Sequence, residues 1–250
     1  MNPPPWTLPA FAMIAATYAS VGLGGATAYA AVLSLTDVPY TQIPPLVLSL
    51  NLLVAGSAYA SFHRAGRVPY SILARLLATS IPAAFAGGLV PLRERHFLLL
   101  LAFALLLAGL RFMLGSKIHR ALARDGVGGG MSNGALLLVG LGIGLLAGVT
   151  GIGGGVYLAP VLLLRGTGDL ESVPAITSGF VFFNSAAGLA GQLTRIHPVL
   201  DLWIPLGAAA AVGALAGGFA SARWLPALWT QRVFGTALVA VALLNGAKAL

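Results

Sequence analysis

Long stretches without a single Asp, Glu, Lys or Arg dominate this chain. They run over 1–36, 38–63, 76–92, 96–110, 126–164, 172–194, 202–222 and 233–247. A helix needs about 20 apolar residues to cross the bilayer hydrocarbon. Eight stretches reach that length once the shorter ones borrow flanking residues whose long side chains snorkel outward. With only 8% of its residues charged, against about a quarter in soluble domains, the chain cannot cover itself with a water-facing surface. A soluble enzyme is excluded. The absence of cysteine excludes disulfides, thiolate metal sites and iron–sulfur clusters. A net charge of +8 does not point to nucleic acid, because the basic residues stand singly between apolar runs, as in membrane loops and interfaces.

The expected fold class is therefore an all-α integral membrane protein. About eight transmembrane helices are placed near 8–35, 43–62, 69–91, 97–115, 133–164, 173–193, 199–220 and 231–250. The first and fifth are too long for a simple crossing, and each holds a glycine cluster near its middle. Segment 117–132, with GVGGG and the basic residues Lys117, Arg120 and Arg124, reads as a linker between two halves, 1–116 and 133–250. With eight simple crossings, the face holding both termini carries seven basic residues, including Arg64, Lys117 and Arg195, against five on the other. The positive-inside rule then puts the termini in the cytoplasm. The N-terminal run has no basic n-region and reads as the first span rather than a signal peptide.

The halves resemble each other. VGLGGATAYAAVLSL at 21–35 aligns with TGIGGGVYLAPVLLL at 150–164, and SLNLLVAGSAY at 49–59 with FFNSAAGLAGQ at 182–192. AGG at 86–88 aligns with AGG at 216–218. The offsets are 129, 133 and 130, and Asn51 falls opposite Asn184. Three matches in one order, one of them on a polar pair, favour internal duplication over chance similarity among Ala/Gly/Leu-rich segments. Duplicated halves with a broken helix in each are a mark of secondary transporters, which bind at the repeat interface near the midplane. If each glycine-broken span crosses once, the repeats are parallel; if it folds into a re-entrant hairpin, they are inverted. Eight crossings is the reading taken from sequence.

Where a helix unwinds at glycine, amides lose their helical partners and the next half-helix presents the positive end of its dipole. Such ends bind anions without a fixed charge. The candidate binding residues are Gly22, Gly24 and Gly25 in the first half and Gly151, Gly153, Gly154 and Gly155 in the second. The alternative role for these glycines is close helix packing. Asn51 and Asn184 join them, because an amide can donate to an oxyanion, with interhelical hydrogen bonding as the competing role. Thr177 and Ser178 are added beside the second cluster, and Thr27, Thr150, Tyr157 and Gln192 are weaker candidates of the same kind.

All six carboxylates, Asp37, Glu94, Asp125, Asp169, Glu171 and Asp201, fall in expected loops or at span ends. Proton or sodium coupling through a buried acid therefore has no residue to use. No catalytic motif, metal-ligand set or cofactor fingerprint is present, so neither a catalytic residue nor a cofactor is expected. An anion leaving an inside-negative cell gains about 2.3 kcal/mol per charge per 100 mV. Export of an anion could run without a coupling ion.

Taken together, GIGGGVYLAPVLLLRG at 151–166, AITSGFVFFNSAAGLAGQL at 175–193 and the weaker first copy beginning GLGGA at 22 resemble the sulfite exporter TauE/SafE family of bacterial membrane permeases. The first half departs from the pattern, with Ala31 where the second has Pro160 and Pro44-Pro45 where the second has Thr177-Ser178. The resemblance implies a helical transporter in the bacterial inner membrane whose partner is a small anionic substrate, sulfite or an organosulfonate, moved by alternating access. A homodimer in the lipid bilayer fits the same expectation. An anion channel of the same architecture and a non-transporting structural membrane subunit remain as alternatives.

Overall fold

The computed structural model describes residues 4–20, 24–125, 130–168, 172–197, 199–220 and 227–249. Ten helices account for most of them: α1 (Thr7–Ser20), α2 (Ala26–Ser34), α3 (Ile43–Arg64), α4 (Tyr70–Leu89), α5 (Glu94–Asp125), α6 (Asn133–Thr150), α7 (Gly155–Leu164), α8 (Ser172–Leu193), α9 (Leu200–Ala220) and α10 (Ala227–Ala249). No strand occurs among the described residues. Four of these helices, α3, α4, α6 and α8, are long and apolar enough to cross a membrane.

Apolar residues lie on both the inner and the outer side of α5. On α5, Phe97, Leu101, Ala104, Leu105 and Ala108 are buried at helical spacing. Leu99, Phe103, Leu106 and Leu110 of the same helix are exposed. On α6, Leu138 is 71% exposed and Leu141 is 49% exposed. So many exposed large apolar side chains need lipid around them rather than water. Helix α5 continues to Asp125, into the segment read from sequence as a linker. Between Gly115 and Gly126 that segment contains neither Gly nor Pro to break the helix.

Helix directions follow from side-chain contacts. Face I is the end of the bundle where α3 begins, and face II the end where α3 finishes. Gln42 at the start of α3 donates its Nε2 to the His197 carbonyl beyond the end of α8, 3.2 Å away. Arg195 donates to the Gly88 carbonyl near the end of α4 at 2.7 Å. Helices α4 and α8 therefore end at face I, and α8 is antiparallel to α3. Helix α6 lies along α4 in the same direction: Gly140, Gly144 and Gly148 are set against Leu76, Ser80 and Ala84 respectively. Those glycines let the two backbones touch, as small residues do in membrane helix pairs.

Contrary to the single broken crossing expected over 133–164, the chain goes out and back there. Helix α6 ends at Thr150, where Gly151 packs on Pro44 at face I. Gly151, Gly153 and Gly154 take φ values of 72°, 73° and 83°, a left-handed conformation that costs L side chains about 1–2 kcal/mol. The chain reverses there, and α7 returns along α8. The Met131 amide then meets the Thr167 hydroxyl at 2.9 Å, closing a hairpin that begins and ends at face II. The first half makes a matching hairpin. Helix α2 folds back on α1, with the Phe11 and Tyr29 rings 4.9 Å apart and the Tyr18 hydroxyl 3.2 Å from that of Thr27. Its open end lies at face I, where Ser34 meets Asn245 and Lys248 of α10.

Candidate functional site at the tips of two helical hairpins

The two hairpin tips meet deep in the bundle, on opposite sides of one amide. Asn51 is fully buried on α3. A Cβ built on Gly24 would lie 2.5 Å from Asn51 Oδ1, and one built on Gly153 would lie 2.6 Å from Asn51 Nδ2. Glycine is therefore required at both tips for the backbone to approach the amide this closely. Asn51 Nδ2 faces the Ser185 hydroxyl of α8 at 3.3 Å, which sets the orientation of the side chain. Its Oδ1 is buried and has no hydrogen-bond partner among the described residues.

A small cavity of about 30 Å³ opens at this junction, room for one or two water molecules. Gly24, Gly25, Ala26 and Thr27 of the first hairpin line it, with Ile152, Gly155 and Val156 of the second. Asn51, Val181, Ala108 and Tyr18 complete the wall. None of these side chains is charged. Ala26 and Thr27 are the first residues of α2, and Gly155 and Val156 the first of α7. The carbonyl of Gly25 receives the amides of Ala28 and Tyr29, and that of Gly154 the amides of Tyr157 and Leu158. The amides before them precede any helical carbonyl they could reach. Two helix N-termini thus converge on one cavity, each worth about half a positive charge.

Of the residues singled out from sequence, Gly24, Gly25, Thr27, Asn51 and Gly155 line this cavity, and Gly153 packs on the Asn51 amide. Gly22 lies outside the described residues. Gly151 abuts Pro44, and Gly154 packs on Phe180, Ile143 and Ala147. Asn184 is buried but donates to the Phe180 carbonyl of its own helix at 2.8 Å, and Ser178 likewise donates to Ala175 at 3.0 Å. Thr177 is buried with an unpartnered hydroxyl and turns its methyl toward Gly155. These three do not line the cavity. Ser185, Val181, Ile152, Tyr18 and Ala108 were not picked out from sequence. Ser185 had one signal, its place beside Asn184 in the repeated segment.

A second, larger cavity lies between this junction and face I. Its inner end is formed by Pro44, Val149 and Gln192, and its mouth by Tyr40, Gln42, Arg195 and His197. The Gly151–Pro44 contact stands between the two cavities. On the face II side of Asn51, half-buried aromatic rings pack α3 against α8. Tyr59 stacks on Phe182 at 6.2 Å and meets the edge of Phe183 at 5.6 Å, while Gly56 and Gly179 receive the Phe182 and Tyr59 rings.

Comparison with known proteins agrees with a membrane-transport architecture. The chain is 32% identical over 234 residues to "Probable membrane transporter protein y4hK" of Sinorhizobium fredii (strain NBRC 101917 / NGR234), covering 92% of this chain and 93% of that protein. No solved structure matches. The sulfite exporter TauE/SafE family matches residues 7–244, nearly the whole chain, and the protein belongs to that family.

Proposed function

We propose that the protein exports a small oxyanion, sulfite or a close chemical relative, and binds it where the two hairpin tips meet beside Asn51. The observation that carries this reading is the convergence of the α2 and α7 N-termini on one uncharged, buried cavity. Helix N-termini attract anions, and the water-poor surroundings strengthen that attraction. Without a fixed cation, the site holds its cargo weakly enough to release it.

The proposed architecture is two inverted repeats, 1–116 and 133–250, joined through 117–132. Each repeat has a re-entrant hairpin followed by three crossings. The packing supports this. The main pairings are α4 with α6, α5 with α10, α1 with α9, α4 with α8 and α3 with α8. Exchanging α1 for α6, α2 for α7, α3 for α8, α4 for α9 and α5 for α10 maps these pairings onto one another except α4 with α8, whose counterpart, α3 with α9, is a much smaller contact. Antiparallel α3 and α8 are what an in-plane pseudo-twofold axis requires.

Alternating access then has identifiable parts. On this reading the Gly151–Pro44 contact separates the site from the face I cavity, and the packing of Tyr59 on Phe182 and Phe183 serves as the closure on the other side. Rocking one repeat against the other would exchange the two closures. The hairpins also change the charge count at the two faces. Arg64, Arg67, Lys117, Arg120, Arg124 and Arg165 lie toward face II, against Arg93, Arg95, Arg195 and Lys248 toward face I. The positive-inside rule puts face II in the cytoplasm. Both described chain ends, at Pro4 and Ala249, then face outward, the reverse of the orientation expected from eight simple crossings. In that orientation the face I cavity is the exit.

Purified protein in proteoliposomes tests the function: saturable sulfite flux that responds to an imposed potential is expected. Folded protein with no flux of any small oxyanion would refute it.

A further inference from the structure

Asn51 presents the cavity with a hydrogen-bond acceptor that no described residue satisfies. Its side chain is fully buried. The amide nitrogen is held by Ser185 at 3.3 Å, which leaves Oδ1 on the Gly24 side, unpartnered, at the cavity wall. A site that received only a bare oxyanion would want donors at every position. A buried carbonyl oxygen facing an anion's lone pairs is repulsive, and leaving it unpaired costs about 1–3 kcal/mol.

Charge leads to the same chemistry. The two helix N-termini supply about one positive charge in total, and none of the described residues lining the cavity is charged. That total balances a monoanion and leaves a dianion half compensated in a low-dielectric setting. The cavity also has room for only one or two waters, which favours a compact inorganic ion.

From these observations we infer that the species bound is a singly protonated oxyanion, hydrogen sulfite if the cargo is sulfite. Its one O–H donates to Asn51 Oδ1, and its unprotonated oxygens face the first amides of α2 and α7. This rests on the anion-transport reading above and narrows it to one ionic form. Asn51 selects for the donor in the way a buried polar group rejects analogues that cannot pair with it.

The test is flux into proteoliposomes at fixed total sulfite across a pH series spanning its second dissociation, with protein-free vesicles subtracted for leak of neutral sulfur dioxide. Methanesulfonate, a monoanion without a donor, and sulfate, a dianion without one at these pH values, run in parallel. Wild-type sulfite flux is expected to fall as pH rises, in step with the hydrogen sulfite fraction. Methanesulfonate is expected at least about tenfold slower than hydrogen sulfite, flat with pH, and sulfate slower still. In Asn51→Leu the preference for hydrogen sulfite over methanesulfonate should collapse toward one. Sulfite flux that holds constant as the dianion takes over would overturn the inference, as would methanesulfonate moving as fast as hydrogen sulfite. Both results leave anion transport intact. No flux of any anion from folded protein would remove the transport reading itself, and this inference with it.

Discussion

Asn51 of α3 and Ser185 of α8 meet at 3.3 Å between the two hairpin tips. The contact joins residues 134 positions apart and ties one half of the chain to the other at the cavity. Ser185→Ala removes the partner that orients the amide. Loss of one interhelical hydrogen bond in a membrane protein costs about 0.6 kcal/mol, so thermal stability in detergent should change little. Transport should fall by about tenfold or more, because small misplacements of a binding group are costly. Wild-type flux in this variant would show that the Asn51 orientation does not matter.

Glycine at the second tip is required by both space and backbone. Gly153→Ala would force a Cβ to 2.6 Å from Asn51 Nδ2 and 2.8 Å from Ser185 Oγ, at a φ of 73°. Strain alone costs about 1–2 kcal/mol, and flux should be lost. Gly142→Ala on α6, where a Cβ meets nothing within 4 Å, is the control and should leave both stability and flux unchanged. Melting curves and flux assays on the pair check the prediction.

Arg195 lines the mouth of the face I cavity and donates to the Gly88 and Val90 carbonyls at 2.7 and 3.3 Å. Its charge should raise the local anion concentration. Arg195→Gln is expected to raise the KM for entry from face I by about tenfold at low salt, with kcat nearly unchanged and the salt dependence weakened. Arg195→Lys keeps the charge and should stay close to wild type. Equal defects in both variants would assign Arg195 to helix capping alone.

The absence of cysteine makes orientation directly measurable. Ala65 and His96 are exposed, at face II and face I respectively. In intact cells a membrane-impermeant thiol reagent should label His96→Cys and leave Ala65→Cys unmodified until the cells are opened. The reverse pattern would put face I in the cytoplasm.

What was legible in the sequence followed from burial and charge. Charge-free stretches located α3, α4 and α8 to within a few residues, because in lipid a charged side chain is tolerated mainly where it can reach the interface. The course of 133–164 was not legible. A glycine run permits both a break within one crossing and a reversal, and only the φ values of Gly151, Gly153 and Gly154 with the Met131–Thr167 contact decide between them. The orientation expected from basic residues inherited that ambiguity, since each added reversal moves later loops to the other face. Asn51 could be picked out as a polar residue in an apolar span. Asn184 carried the same signal, yet its amide bonds its own helix while the neighbouring Ser185 meets Asn51. Helical rotation separates adjacent residues by about 100°, and the sequence match between the halves did not resolve which of the two faces the site.

The central claim, that the hairpin tips and Asn51 form an anion-transport site, is tested most directly by potential-driven uptake of labelled sulfite into proteoliposomes carrying wild-type protein or Asn51→Leu. The account predicts saturable, potential-dependent uptake by the wild type and at least about a tenfold loss in the variant, with both proteins monodisperse and equally helical. Equal uptake by the two would contradict it.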